Sequence, residues 1–178
     1  MSKTFLISDT HFGQSNILTF KRDDGSLLRP FNNIQEHDEY LIDQWNNTVS
    51  QKDKVYHLGD IGFKGWTSLA NVLSRLNGTK ILIKGNHDGH KLSQYQQFFK
   101  DIRGSHVLDK FILTHIPIHP NSVSRWKANI HGHLHANTIQ EHVPGLVLQD
   151  DPRYINVSVE QINYKPIDFE EIRSMFND

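Results

Sequence analysis

Apolar positions in this chain fall into short runs and helical stripes that alternate through its first half. Thr4-Phe5-Leu6-Ile7-Ser8, Val55-Tyr56-His57-Leu58 and Lys80-Ile81-Leu82-Ile83-Lys84 are mostly apolar and stop at polar turns, which predicts buried strands. Between them, Ile34, Leu41, Trp45 and Val49 mark one face of a helix that Asn33 and Glu36 would cap. Leu69, Val72, Leu73 and Leu76 mark a second helix, closed by Asn77-Gly78. A third is read through Leu92, Tyr95, Phe99 and Ile102. The order β, α, β, α, β, α predicts parallel strands joined by crossover helices.

The second half reads as shorter strands. Val107-Leu108 and Phe111-Ile112-Leu113 suit a hairpin around Asp109-Lys110, and Ala128-Asn129-Ile130 leads into His131-Gly132-His133-Leu134-His135. Further strands are expected at Leu146-Val147-Leu148 and from Tyr154 to Val159, then a final helix capped by Asp168 and Glu171. Segment 12–31 shows no clean period, apart from a tight turn at Asp23-Asp24-Gly25, and the roles of segments 12–31, 117–127 and 141–153 are not read from the sequence. With no repeat or linker in its 178 residues, the chain reads as a single domain, 1–178.

Composition changes the picture in three ways. The chain has no cysteine, which excludes disulfides, thiolate metal sites and a cysteine nucleophile. Its formal net charge of -1 supplies no basic field, so duplex nucleic acid is not an expected partner. The opening Met1-Ser2-Lys3-Thr4 runs straight into a strand, so no signal peptide, membrane span or membrane partner is expected and the location is read as cytoplasmic. Twelve histidines in such a chain hint at metal.

The chemistry sits where strands end. Asp9 and His11 follow the first strand, Gly59-Asp60 the second, and Gly85-Asn86-His87-Asp88 the third. His115 follows Phe111-Ile112-Leu113-Thr114, and His133 and His135 follow Ile130. In open α/β sheets such ends converge on one rim. A mixed oxygen and imidazole set suits Mn, Fe, Zn or Ni better than Ca or Mg. Seven ligands exceed one tetrahedral site, and Asp60, without a histidine of its own, is the natural bridge between two ions. Alone, Asp-x-His or Gly-Asp reads as an ordinary capped turn; together and in order they do not.

This set, Asp9-x-His11, Gly59-Asp60, Gly85-Asn86-His87-Asp88, an isolated His115 and Gly132-His133-x-His135, resembles the calcineurin-like metallophosphoesterases, in particular small bacterial or phage-type members. The resemblance implies an α/β fold of two packed mixed β-sheets flanked by helices, a four-layer α/β/β/α sandwich. It implies one metal on Asp9, His11, Asp60 and His135, and a second on Asp60, Asn86, His115 and His133. His87 would face the scissile phosphate as acid or charge stabiliser, with Asp88 orienting it, and Asn86 and His87 would contact substrate. The implied activity is hydrolysis of phosphodiesters or phosphomonoesters by a hydroxide bridging two divalent ions, Mn first, with Fe, Ni or Zn as alternatives. A small phosphoester, nucleotide-like or a short oligonucleotide end, is the expected substrate. The alternative is a catalytically silent scaffold of the same fold. Ile116-Pro117 departs from the small residue that commonly follows the isolated histidine, which leaves the local loop path open.

Other polar residues take blander readings. His57 is read as a satisfied structural histidine, and His37, His90, His106, His119 and His142 as surface or structural. His131 could support the ligand turn. Arg29, Lys21 and Arg22 are read as a solvated surface rather than as phosphate contacts.

Overall fold

The chain begins with β1 (Thr4–Ile7), a 3-10 turn (Ser15–Thr19), α1 (Ile34–Thr48), β2 (Lys54–His57), α2 (Trp66–Arg75), β3 (Thr79–Ile83) and α3 (Leu92–Tyr95). It continues through β4 (Phe99–Arg103), β5 (Ser105–Leu108), β6 (Phe111–Thr114), α4 (Pro120–Val123), β7 (Asn129–His131), β8 (Gln140–His142) and β9 (Leu148–Asp150). The last elements are β10 (Tyr154–Asn156), β11 (Ile167–Asp168) and α5 (Phe169–Ser174). The structure is a computed structural model that describes residues 1–63, 65–142 and 148–176. The strand expected at Leu146-Val147-Leu148 therefore lies mainly outside the described residues, and Leu148 opens β9.

Two mixed sheets carry the α/β fold. The first has the order β11-β1-β2-β3-β4, with β1 to β4 parallel and β11 antiparallel at the edge. The second has the order β10-β7-β6-β5, with only β5 antiparallel. Parallel pairing follows from the crossover helices: α1 returns the chain from β1 to β2, and α2 from β2 to β3. Asn33 caps α1 by accepting from the Glu36 N–H at 2.9 Å, as the spacing predicts, while the Glu36 carboxylate reaches Asn32 rather than Asn33. Leu41, Ile42 and Trp45 of α1 and Leu69 and Leu73 of α2 are buried in one apolar cluster with Leu6, Val55 and Leu82 of the first sheet and Leu113 and Ile130 of the second.

One element differs in kind from the sequence reading. Leu92, Tyr95, Phe99 and Ile102 have helical spacing, yet the helix ends after one turn and Phe99–Arg103 forms β4. The open edge of β3 decides this. Its backbone groups need partners, and β4 supplies them across an irregularity at Lys80/Ile81, ending with Lys84 N–H donating to Arg103 O at 2.9 Å.

The sheets meet just past β1 of the first and the edge strand β10 of the second. Ser8, just past β1, bridges to Ser158, just past β10, and Ser8 N–H donates to Val157 O at 2.9 Å. The loops after β1, β2, β3, β6 and β7 are thereby gathered at one rim. Among the described residues, no helix is long and apolar enough to cross a membrane.

Candidate metal centre

At that rim the structure brings together all seven residues expected as ligands. Asp9, His11 and His135 offer ligand atoms within 4.8 Å of one another, and Asp60, His115 and His133 form a second such group. Asp60 Oδ2 lies between the groups, 3.8 Å from His11 Nε2 and 3.3 Å from His115 Nε2. Asn86 Oδ1 stands 2.8 Å from His115 Nε2. The His11 and His135 rings stack at 5.1 Å, and the His115 and His133 rings meet edge to face at 5.1 Å.

Three of these imidazoles have their tautomer fixed from behind. Nδ1 of His11 faces Gln14 Oε1 at 2.6 Å, Nδ1 of His115 faces Leu58 O at 2.8 Å, and Nδ1 of His135 faces Glu160 Oε1 at 3.1 Å. Each partner is an oxygen that can only accept, so Nδ1 carries the proton and the lone pair of the neutral ring is on Nε2. Those Nε2 atoms face oxygens that are themselves acceptors. His115 Nε2 looks at Asp60 Oδ2 and Asn86 Oδ1. His11 Nε2 and Asp9 Oδ1 are buried with no hydrogen-bond partner among the described residues. Acceptors converging on acceptors suit divalent cations, and this histidine and carboxylate chemistry fits them.

Burial would raise the Asp9 carboxyl, but His11, His135 and His115 around it hold it far below the usual carboxylate range. Burial likewise works against the Asp60 carboxylate, and His115, the His87 N–H and His11 outweigh it, leaving the group lowered. Both carboxylates therefore present full negative charge at neutral pH.

The backbone at the rim is strained. Asp9 (φ +58°), His11 (+49°), Asp60 (+56°), His133 (+70°) and His135 (+52°) all adopt the left-handed conformation that side chains disfavour. The glycines preceding the motifs exist because loops touch there. A Cβ on Gly59 would come within 2.5 Å of Gly85 N and 2.9 Å of His115 Nδ1, and one on Gly132 would overlap Ser8 Oγ and Asp9 Oδ2.

Asp88 requires a correction. Its carboxylate accepts from the backbone N–H groups of Asp60 (3.0 Å), Ile61 (2.9 Å) and Gly85 (2.8 Å), and orients no imidazole through these bonds. It ties the β2 and β3 loops together, and burial pushes its own carboxyl up against those bonds. His87 is exposed, with its backbone N–H donating to Asp60 Oδ1 at 2.8 Å and its ring 5.9 Å from that of His11. His57 is the structural histidine expected: Nδ1 accepts from Gly59 N–H at 3.2 Å and Nε2 meets Thr10 Oγ1 at 2.9 Å.

Arg29 overturns its reading as a solvated residue. It is fully buried and fastens the site from below. Its Nε donates to Glu160 Oε1 at 2.8 Å, Nη1 to Thr10 O at 2.9 Å, and Nη2 to Asp9 O. Nη1 also meets His37 Nε2 at 2.9 Å, and His37 is as buried as Arg29. Glu160 gave no signal in the sequence, since it belongs to no motif and lies 25 residues beyond His135. Ser158 was missed for the same reason, although its hydroxyl donates to Asp9 Oδ2 at 2.9 Å. His131 sits beneath the ligand turn, Nδ1 donating to Gly132 O at 2.8 Å. Ile116 is 51% exposed, so the larger residue after His115 is accommodated by pointing outward.

Known proteins place the chain in context. A family model described as the calcineurin-like phosphoesterase superfamily domain matches residues 3–157. An uncharacterized protein of Methanocaldococcus jannaschii is 38% identical over 174 residues, covering 97% of this chain and 90% of that protein. The gene 66 protein of Mycobacterium phage L5 is 29% identical over 175 residues, covering 78% of this chain and 80% of its own length. A crystal structure of a protein of unknown function from Aquifex aeolicus shares the fold, with a TM-score of 0.70 at 23% identity over 98% of this chain and 100% of that one. With a family match over most of its length, this chain belongs to the calcineurin-like phosphoesterase superfamily.

Proposed function

We propose that the protein hydrolyses small phosphoesters, nucleotide-like diesters or monoesters, using two divalent cations of which Mn is the first choice. The observation that carries this reading is the convergence of Nε2 lone pairs from His11, His115 and His135 on Asp60 and Asp9. One cation is assigned to Asp9, His11, Asp60 and His135, the other to Asp60, Asn86, His115 and His133. When bound, the ions supply an acidified water at neutral pH and offset phosphate charge.

The chain's own residues do the rest. Asp60 uses Oδ1 to hold the His87 backbone N–H and keeps Oδ2 between the two ligand groups. Asn86 contributes a neutral oxygen, so the site keeps a positive balance for an anionic substrate. His87, exposed beside His11, is positioned to protonate the leaving oxygen or stabilise charge on phosphate, a contribution of about 10²–10⁴-fold. Asp88 holds the Asp60 and Asn86 loops at the required separation.

The test is hydrolysis of bis-p-nitrophenyl phosphate and p-nitrophenyl phosphate by metal-stripped protein to which Mn, Ni, Zn or Mg is returned. Turnover that requires metal, disappears in Asp60→Ala and drops about 10²–10⁴-fold in His87→Ala is expected. Equal rates for the wild type and Asp60→Ala would refute the proposal.

A further inference from the structure

Both exposed phenylalanines of this chain stand at the candidate centre, one at each end. Phe63 is 57% exposed and Phe20 46%, while the other eight are buried or half-buried. A single exposed apolar side chain is ordinary. Here Phe63 ends a row of rings that runs through the site, and Phe20 lines the cavity reached at the other end of that row. The Phe63 ring lies 5.5 Å from His87, His87 lies 5.9 Å from His11, and His11 stacks on His135 at 5.1 Å. His135 with His133 then lines a cavity of about 450 Å³ whose outer wall carries Phe20, Lys21 and Arg22. Asp23 also lines it, so its charged wall holds two cations against one carboxylate.

We infer that Phe63 and Phe20 are base-stacking platforms on either side of the scissile phosphate, and that the substrate is a linear phosphodiester step in single-stranded nucleic acid. This deepens the phosphoesterase reading and rests on it for the position of the phosphate. Aromatic faces accept any base by stacking, and neighbouring cations follow the backbone. Lys21 and Arg22 would meet the next phosphate on the Phe20 side. The net charge of -1 fits a short strand end better than a long duplex.

The experiment pairs binding with turnover. Affinity of Mn-loaded protein for phosphorothioate-linked tetrathymidylate is measured in wild type, Phe20→Ala, Phe63→Ala and the two Phe→Trp variants. Turnover of dithymidine monophosphate diester is compared with that of glycerophosphoglycerol, a linear diester without rings. Each alanine variant should weaken strand binding roughly 5- to 100-fold. It should lower dithymidine turnover similarly, leave glycerophosphoglycerol turnover within about twofold, and be rescued by tryptophan. Because both positions are exposed, none of these changes should affect folding. Strand affinity unchanged in both alanine variants would overturn the inference, as would equal loss on both diesters. Strand binding that depends on the phenylalanines, without hydrolysis of any ester, would support these platforms while refuting the hydrolase reading.

Discussion

Glu160 is the residue on which the His135 side of the centre turns. Its Oε1 receives both the His135 Nδ1–H and the Arg29 Nε–H, and all of this carboxylate is buried. An acceptor on Nδ1 fixes both the tautomer and the ring orientation, and losing such a partner typically costs ~10–100-fold in metal affinity. Glu160→Leu should therefore weaken Mn binding by about that factor, read by calorimetric titration, whereas Glu160→Gln, which keeps an acceptor oxygen, should lose less. Equal affinities in wild type and Glu160→Leu would show that His135 needs no such partner. None of this was legible beforehand. A motif names residues close in sequence, and Arg29, Ser158 and Glu160 reach the site only through the fold.

At the scale of elements, the end of β2 carries the clearest titration. His57 is sealed beneath the rim, its ring stacked on Trp45 of α1 at 6.3 Å. Burial pulls its pKa down from the ordinary 6.5 of histidine to about 3, against the pull of Asp9 and Asp60. Between those values the unfolded chain takes up a proton here that the folded chain refuses, so stability falls as pH drops through the window. The contribution is about 1.4 kcal/mol per pH unit. In metal-stripped protein, urea midpoints of His57→Gln should decline less steeply than wild type from pH 6.5 to 4.5, and parallel declines would exclude His57 as the titrating group. Strand and helix identities were readable where burial and period agreed, as in β1, β2, β3 and α1. They failed at Phe99–Arg103, where helical spacing gave way to the open edge of β3. The αL residues of the motifs were invisible for a related reason, since Asp9, His11, Asp60, His133 and His135 hold that conformation only because packed loops enforce it.

For the whole molecule, the arrangement explains how residues from both halves of the chain form one site. Asp9, His11, Asp60 and Asn86 follow strands of the first sheet, whereas His115, His133 and His135 follow strands of the second. The Ser8–Ser158 bridge brings the two sets of ends together. Order along the chain was enough to anticipate this clustering, because strand ends converge whatever their separation in sequence. What remained unreadable was the rim between motifs, where Phe20, Lys21 and Arg22 form a wall beside His133 and His135.

The most direct test of the centre is the number of Mn ions retained per chain, measured by elemental analysis after loading metal-stripped protein and removing excess ion. Two ions in wild type, and fewer in Asp60→Ala where the shared carboxylate is gone, is the predicted result. One ion or none in wild type, or two retained without Asp60, would contradict a dinuclear centre bridged by that residue.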